Sequence, residues 1–441
     1  MRRGVVGNRG PDGDRFPDRV AGFQLRRLTC PAYHVADTKV GSNPRSRTIC
    51  VMTRNRGPQA KGAAARLWLR AGAVNSLVLI TGVLTLPRSG HTQEVVQIDT
   101  RRPCAACTIE LRRVVTLGND TASPVTVGPT EVVRRDSRGR YYTVHNDDGA
   151  RISVFSADGR PLQVVGREGK GPGEYRWILG LEMGRGDTIH VFDESNRRET
   201  ILGPQYDFVQ SRPIPRTFPD GIRLIGRDQL FINAHIATLD KVGIPLHTAV
   251  GDSIINSFGG SGGTFLIGDA EKLSRKIAVG PSGLWAGWRL EYRIELWDAS
   301  GHILRVFRRA VPWFERRERF EGVGPERVPQ TRLSDVREIG GNLWILIAVG
   351  DIDWRRGLRP WVGAVGRVDG ETHRIEQYQY VYDTVIEVVD LPSGRLVSTK
   401  RVRDFMPSFI DDEHVFGYRV DEDGQPRLDI WRVWLTNPQG R

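Results

Sequence analysis

The 441-residue sequence predicts an all-β chain built from six copies of one four-stranded unit and closed into a ring. Three observations lead there. Beyond Asn119 the chain is a succession of short alternating runs rich in Val, Ile, Tyr, Phe and Trp, punctuated by Gly, Asp-Gly and Ser-Gly, with no amphipathic helix between them. The turn before a second strand recurs six times. The last unit lacks a strand that the N-terminal region can supply.

Residues 1–51 are rich in Arg, Gly and Pro and lack periodicity, so they read as an extension outside the fold. Translation is expected to begin at Met52, with a disordered extension as the alternative. Ala71–Leu86 is uncharged and mostly apolar, and it follows Arg54, Arg56, Lys61, Arg66 and Arg70 with no acid between. Residues 52–90 therefore read as a signal peptide, which implies export to the periplasm or beyond. A membrane anchor is the alternative, although the run is short of the roughly 20 apolar residues a spanning helix needs.

The same division explains the charge. Of the net +12, all lies in residues 1–90, which hold 16 Lys+Arg and 4 Asp, whereas 91–441 carries 48 residues of each sign. Phosphate recognition needs clustered, uncompensated cations, so nucleic acid is not an expected partner. Residues 91–107 form a lead-in containing Cys104-Ala-Ala-Cys107. In an oxidising compartment this pair reads as a local disulfide; half a zinc site and a redox dithiol are the alternatives.

The second-strand element appears as RGRYYTV at Arg138, RGDTIHVF at Arg185, GRDQLFIN at Gly226, PSGLWAGW at Pro281, GGNLWILI at Gly340 and DDEHVFGY at Asp411. Outer hairpins recur with it, as Arg151–Phe155 before Asp158-Gly159, Tyr292–Trp297 before Ser300-Gly301 and Val385–Val389 before Ser393-Gly394. Asp-Gly and Ser-Gly supply the positive φ of tight hairpins. Arg427–Trp434 provides a third strand of the last unit, and Thr108–Leu117 resembles the missing fourth strand. Pairing the two closes the ring and hides two open sheet edges.

Residues 108–437 resemble the six-bladed β-propellers of the NHL-repeat and TolB-like superfamily, of the secreted bacterial type. That family carries a D-x-x-N-x-R pattern between second and third strands, matched by Asp193-Glu-Ser-Asn196-Arg-Arg198, with Glu199 where an apolar residue is usual. Gly166–Tyr175 is similar to the G-x-x-G-x-G-P-G-E segment between blades of such proteins. The implied fold is an all-β, six-bladed β-propeller whose last blade is completed by the N-terminal strand.

In such a ring the loops joining second to third strands and those between blades share one face, the usual ligand face. There the sequence places the candidate binding residues His145, Asn146, Asp193, Glu194, Asn196, Arg197, His235, Arg289, Asp351 and Trp354, the last two in an insertion over 350–366. Asp, Asn, His and Arg suit Ca²⁺ or a sugar acid, but at turns they also bond their own backbone, and Arg198 is expected to bridge blades. His145, His190 and His235 fall near second strands of successive blades, but strand alignment puts Phe192 level with His145, so a three-His zinc site is not expected. Gly169-Lys-Gly-Pro-Gly173 lacks the following Lys-Ser/Thr and helix of a phosphate loop. The expected function is that of an exported, monomeric binding module for an envelope or extracellular protein, peptide or glycan, without a resident cofactor and touching membrane only through an uncleaved N-terminal segment. The alternative is a metal-dependent hydrolase or lyase with Ca or Zn in the central channel, as the related lactonases and amidating lyases imply.

Overall fold

The computed structural model describes residues 93–436 apart from 102, 121, 131, 146–147, 218, 236–241, 261–269 and 361–372. The extension, the signal segment and Asn146 lie outside the described residues.

Six antiparallel four-stranded sheets form the blades. Their strands are Val132–Arg135, Tyr141–His145, Asp148–Phe155 and Pro161–Val165 in blade one; and Ile178–Met183, Ile189–Asp193, Arg198–Leu202 and Phe208–Pro213 in blade two. Blade three has Pro219–Ile225, Gln229–Ala234, Leu246–Val250 and Ser253–Phe258. Blade four has Arg275–Gly280, Gly283–Trp288, Arg293–Trp297 and Ile303–Arg308. Blade five has Arg332–Ile339, Asn342–Gly350, Tyr382–Asp390 and Leu396–Val402. Blade six joins Ser408–Phe409, His414–Val420 and Pro426–Thr436 to Thr108–Leu117. Each recurring sequence element is thus a second strand, and the first strands of successive blades pack side by side around the axis. The blade-five insertion runs from 351 to 381, longer than the sequence pattern indicated, because the third strand begins only at Tyr382.

The closure is as the sequence predicts: Thr108 pairs with Thr436 and Leu117 with Leu428, antiparallel. The lead-in does more than the sequence indicates. Glu94–Gln97 adds in parallel to Ile303–Arg308 as a fifth strand of blade four. Asp99 then bonds blade five, its N–H donating to Gly394 O at 3.1 Å and its carbonyl accepting from Leu396 N–H at 2.9 Å. Cys104 and Cys107 are disulfide-bonded. Ser398 Oγ donates to Cys107 O at 3.0 Å and Lys400 Nζ to Ile109 O at 2.7 Å, where the segment becomes the blade-six strand. One segment therefore ties three blades together.

The core is a ring of interfaces between blades. At one register of the second strands stand Tyr142, His190, Phe231, Trp285, Trp344 and Phe416, paired with Arg134, Glu182, Arg223, Ala278, Arg337 and Ser408 of the first strands. The five aromatic residues are buried, each in a cluster with residues of the next blade, as Trp285 is with Leu333 and Val336. Each such side chain contributes about 1.5–3 kcal/mol of apolar burial. In this register Phe192 is level with Val144 rather than His145, because the first-strand pairing puts His190 level with Tyr142.

Candidate functional site: the loop face and the axial channel

Asp193 ends the second strand of blade two and is fully buried. Its Oδ2 accepts from Arg176 N–H at 3.0 Å and Asn196 Nδ2–H at 2.7 Å; its Oδ1 accepts from Trp177 N–H and Asn196 N–H, both at 3.1 Å. Asn196 Nδ2 also donates to Gly169 O at 2.9 Å. Arg198 donates to Lys170 O at 2.7 Å, to Gly171 O at 2.8 Å and to Glu174 O. All four acceptor positions of the Asp193 carboxylate are taken by the turn and the inter-blade segment. Asp193, Asn196 and Arg198 therefore hold the loop face together, and the carboxylate is not directed to solvent. Arg197 is exposed, while Glu194 is half-buried, its carboxyl raised by burial and then by the Asp193 and Asp220 charges.

The glycine-rich segment folds around its own anion. Glu174 Oε2 accepts from Lys170 N–H at 2.9 Å and Gly171 N–H at 2.7 Å, and Oε1 meets Arg167 Nε at 3.0 Å. The Gly171 backbone bond, followed by Arg167, lowers the Glu174 carboxyl. A Cβ on Gly169, at φ +154°, would lie 2.2 Å from Glu174 Oε2. The backbone donors a phosphate would need are already used.

The remaining candidates are dispersed. His145 closes the second strand of blade one. His235 Nδ1 is 3.8 Å from Asp220 Oδ2, at the start of blade three. Arg289, whose carbonyl accepts from Leu333 N–H at 2.9 Å, lines two adjoining cavities. One, of about 120 Å³, also has Ser274, Leu290, Phe320 and Arg332; the other, of about 100 Å³, has Trp288, Arg316 and Arg317. Asp351 Oδ1 accepts from Asp353 N–H at 2.6 Å, and its carboxyl is hydrogen-bonded to that of Asp383. Burial, followed by this partner, pushes Asp383 up to about 6 against the opposing Arg401, whose Nε is 2.6 Å away.

Trp354 corrects the sequence reading. Placed by the sequence among the loop-face binding candidates, it is only 8% accessible, packed with Val323, Tyr382 and Phe405. Arg355 lies 3.8 Å over its ring and Nε1 donates to Gly324 O at 3.3 Å. A short 3₁₀ turn over Trp354–Gly357 folds the indole inward. The residue left at the tip is Ile352, 84% exposed, beside Val328, 56% exposed and in contact with Gly350. Among the described residues no three His, Cys, Asp or Glu side chains are grouped to hold a metal ion.

Sequence reasoning named the central channel but none of the charged residues that line it. Two cavities, of about 270 and about 70 Å³, share Arg134, Arg223 and Asp335 from the first strands of blades one, three and five. Arg134 Nη2 is 2.7 Å and Arg223 Nη1 3.6 Å from Glu182 Oε1. Burial would raise the Glu182 carboxyl, but Arg134 and Arg223 outweigh it and hold it low. Asp335 accepts from Ser408 Oγ–H at 2.6 Å and from the N–H groups of Phe409 and Val336, both at 2.9 Å. The available signal was charge at similar places in otherwise apolar first strands: VVRR, ILGLEM, PDGIRLI and RLSDVREI.

No family model and no curated protein matches the sequence. Among solved structures, the chain is similar to a protein of Bacteroides fragilis NCTC 9343 described as exported, with 11% identity over 78% of this chain and 100% of that one and a TM-score of 0.49. A member of the DUF4221 family from Bacteroides vulgatus ATCC 8482 gives 12% identity over 75% and 99%, with a TM-score of 0.49. Virginiamycin B lyase from Staphylococcus aureus gives 10% identity over 74% and 99%, with a TM-score of 0.38. The fold assignment rests on the chain's own sheet topology.

Proposed function

We propose that this six-bladed propeller is an exported binding module that takes a peptide, protein or glycan on the face carrying the second-to-third-strand loops. The observation that carries the reading is where the repeat is abandoned. The described parts of the 351–381 insertion and the 309–331 connection lie on that face; they leave Ile352 and Val328 exposed, and the connection supplies Phe320, Arg316 and Arg317 to the cavities around Arg289. Loops set on a rigid scaffold are where binding specificity is placed, and apolar anchors beside cations suit a partner with mixed chemistry. We further assign the chain to the secreted NHL-repeat and TolB-like group, supported by Asp193, Asn196 and Arg198 performing the turn-to-blade bridging that the repeat pattern implies. Export is supported by the signal-like segment before residue 91 and by the Cys104–Cys107 disulfide. We take the working form to be a monomer.

The test is a peptide and glycan array probed with the full chain, then with Ile352→Glu and Arg289→Ala. Saturable binding that either substitution weakens at least tenfold supports the reading. Binding insensitive to both substitutions, or no binding to any class, sinks it.

A further inference from the structure

The level of the first strands that faces the aromatic ring of the second strands reads Arg134, Glu182, Arg223, Ala278, Arg337 and Ser408 around the axis. Ala278 and Ser408 are too small to fill their share of it. The space beside Ala278 belongs to the channel cavity of about 270 Å³ and that beside Ser408 to the cavity of about 70 Å³, both lined also by Asp335.

The charge around this space is unevenly satisfied. One carboxylate, Glu182, faces two guanidiniums, at 2.7 Å from Arg134 and 3.6 Å from Arg223. Arg134 spends Nη1 on Val133 O at 2.9 Å, and Arg223 spends Nη1 on Ile222 O at 3.0 Å, which leaves Arg223 Nε and Nη2 without a protein acceptor among the described residues. Arg337 is held by Asp412 through Nε alone, at 2.7 Å. Asp335 adds its charge near Arg223 but makes no hydrogen bond to it, its carboxylate accepting instead from Ser408 Oγ–H and two backbone N–H groups.

A second, independent observation comes from the other end of the channel. Arg275 opens the first strand of blade four, lines the smaller axial cavity with Arg223, and is only 2% accessible. Its Nη1 donates to Lys272 O at 2.6 Å and Ser274 O at 3.1 Å, yet Nε and Nη2 are buried with no hydrogen-bond partner among the described residues. Its guanidinium lies 3.3 Å over the Trp288 ring. Burial pushes Arg275 down to about 9 and lowers Arg223 as well, outweighing the Glu295 charge near the first and the Glu182 and Asp335 charges near the second. A buried guanidinium with two of its nitrogens unpaired is costly in the free protein, and a carboxylate or phosphate is the group that matches its fork.

We propose that the axial channel is a binding site for a small organic anion, held through a carboxylate or phosphate group by Arg223, which lines both cavities, with Arg337 lining the larger one and Arg275 the smaller. It is distinct from the loop-face site, so Ile352→Glu leaves it unchanged. Glu182 is the internal competitor for the same guanidinium, which gives the proposal a signed consequence.

Calorimetric titration of the full chain with citrate and, separately, with inorganic phosphate at constant ionic strength tests it. Saturable 1:1 binding of one probe is expected, and which probe binds identifies the anion group. Arg223→Gln weakens that binding at least tenfold, and Glu182→Gln, which frees Arg134 and Arg223 together, tightens it several-fold. Absence of saturable binding of both probes overturns the proposal. So does an affinity unchanged in Glu182→Gln, a variant that retains the hydrogen-bonding shape and remains informative where Arg223→Gln fails to fold.

Discussion

His190 and Glu199 meet at 2.5 Å inside blade two, with the histidine at the register where four other blades carry a Phe or Trp and blade one a Tyr. Glu199 is fully buried, and Arg212 reaches it from the neighbouring strand, its Nη2 at 3.1 Å from Oε1. The acidic residue that breaks the repeat pattern after Arg198 is thus matched by the histidine that breaks the aromatic ring. Removing one member of a buried ion pair strands the other. Glu199→Ala is expected to cost about 3–5 kcal/mol in urea unfolding, whereas His190→Phe, which leaves Arg212 on Glu199, costs visibly less. Equal costs for the two would contradict this account.

The closing strand carries more stability than the disulfide beside it. Cys104 and Cys107 enclose a very short loop, so losing the bond removes only about 2 kcal/mol of chain entropy. Leu117 is fully buried where the closing strand meets blade six and blade one, and Leu117→Ala is expected to cost about 3 kcal/mol or more. Chemical denaturation of reduced protein and of Leu117→Ala measures both.

Asp383 makes stability depend on pH. Its carboxyl holds a proton up to about pH 6 when folded, against an ordinary value of 3.8. Because the folded value is raised, this contribution is fully present below about pH 4 and is lost as pH rises through 6. Asp383→Asn should therefore flatten the fall in melting temperature between pH 4 and 7 relative to the parent chain. Parallel profiles for the two would remove Asp383 from the explanation.

Gly169 marks the anion seat filled by Glu174. Gly169→Ala forces a side chain into a positive-φ position against a carboxylate oxygen and should lower stability by more than about 1 kcal/mol. Glu174→Ala releases the Lys170 and Gly171 N–H groups and should destabilise the same segment. Faster proteolysis between Arg167 and Arg176 in both variants is the readout.

The strands and their closure were legible because a sheet writes its period and its turns into neighbouring residues. Tyr141–His145 and its five counterparts each show alternation after a turn, and the unpaired edge of blade six left an unanswered strand that only Thr108–Leu117 matched. The candidate site was legible in part. Asp193 and Asn196 were placed on the correct loop, but whether a turn carboxylate faces a ligand or its own backbone depends on donors far along the chain, here Arg176 and Trp177. Trp354 was placed among the binding candidates because the insertion lacks a period, and its burial against Phe405 is a contact across 51 residues of sequence.

Local pattern by itself determined that this protein is all-β, repeats six times and closes with its N-terminal strand, since alternation, turn residues and a missing edge are all properties of short segments. Only the tertiary structure decided that Glu94–Gln97 reaches blade four, that Glu199 finds His190 and Arg212, and that Arg134, Glu182 and Arg223 converge on one axis. Those residues are 41 to 211 positions apart for all but the blade-two pairings. Electrostatic and hydrogen-bond partners are chosen by distance in space, which the ring closure sets and the sequence spacing does not.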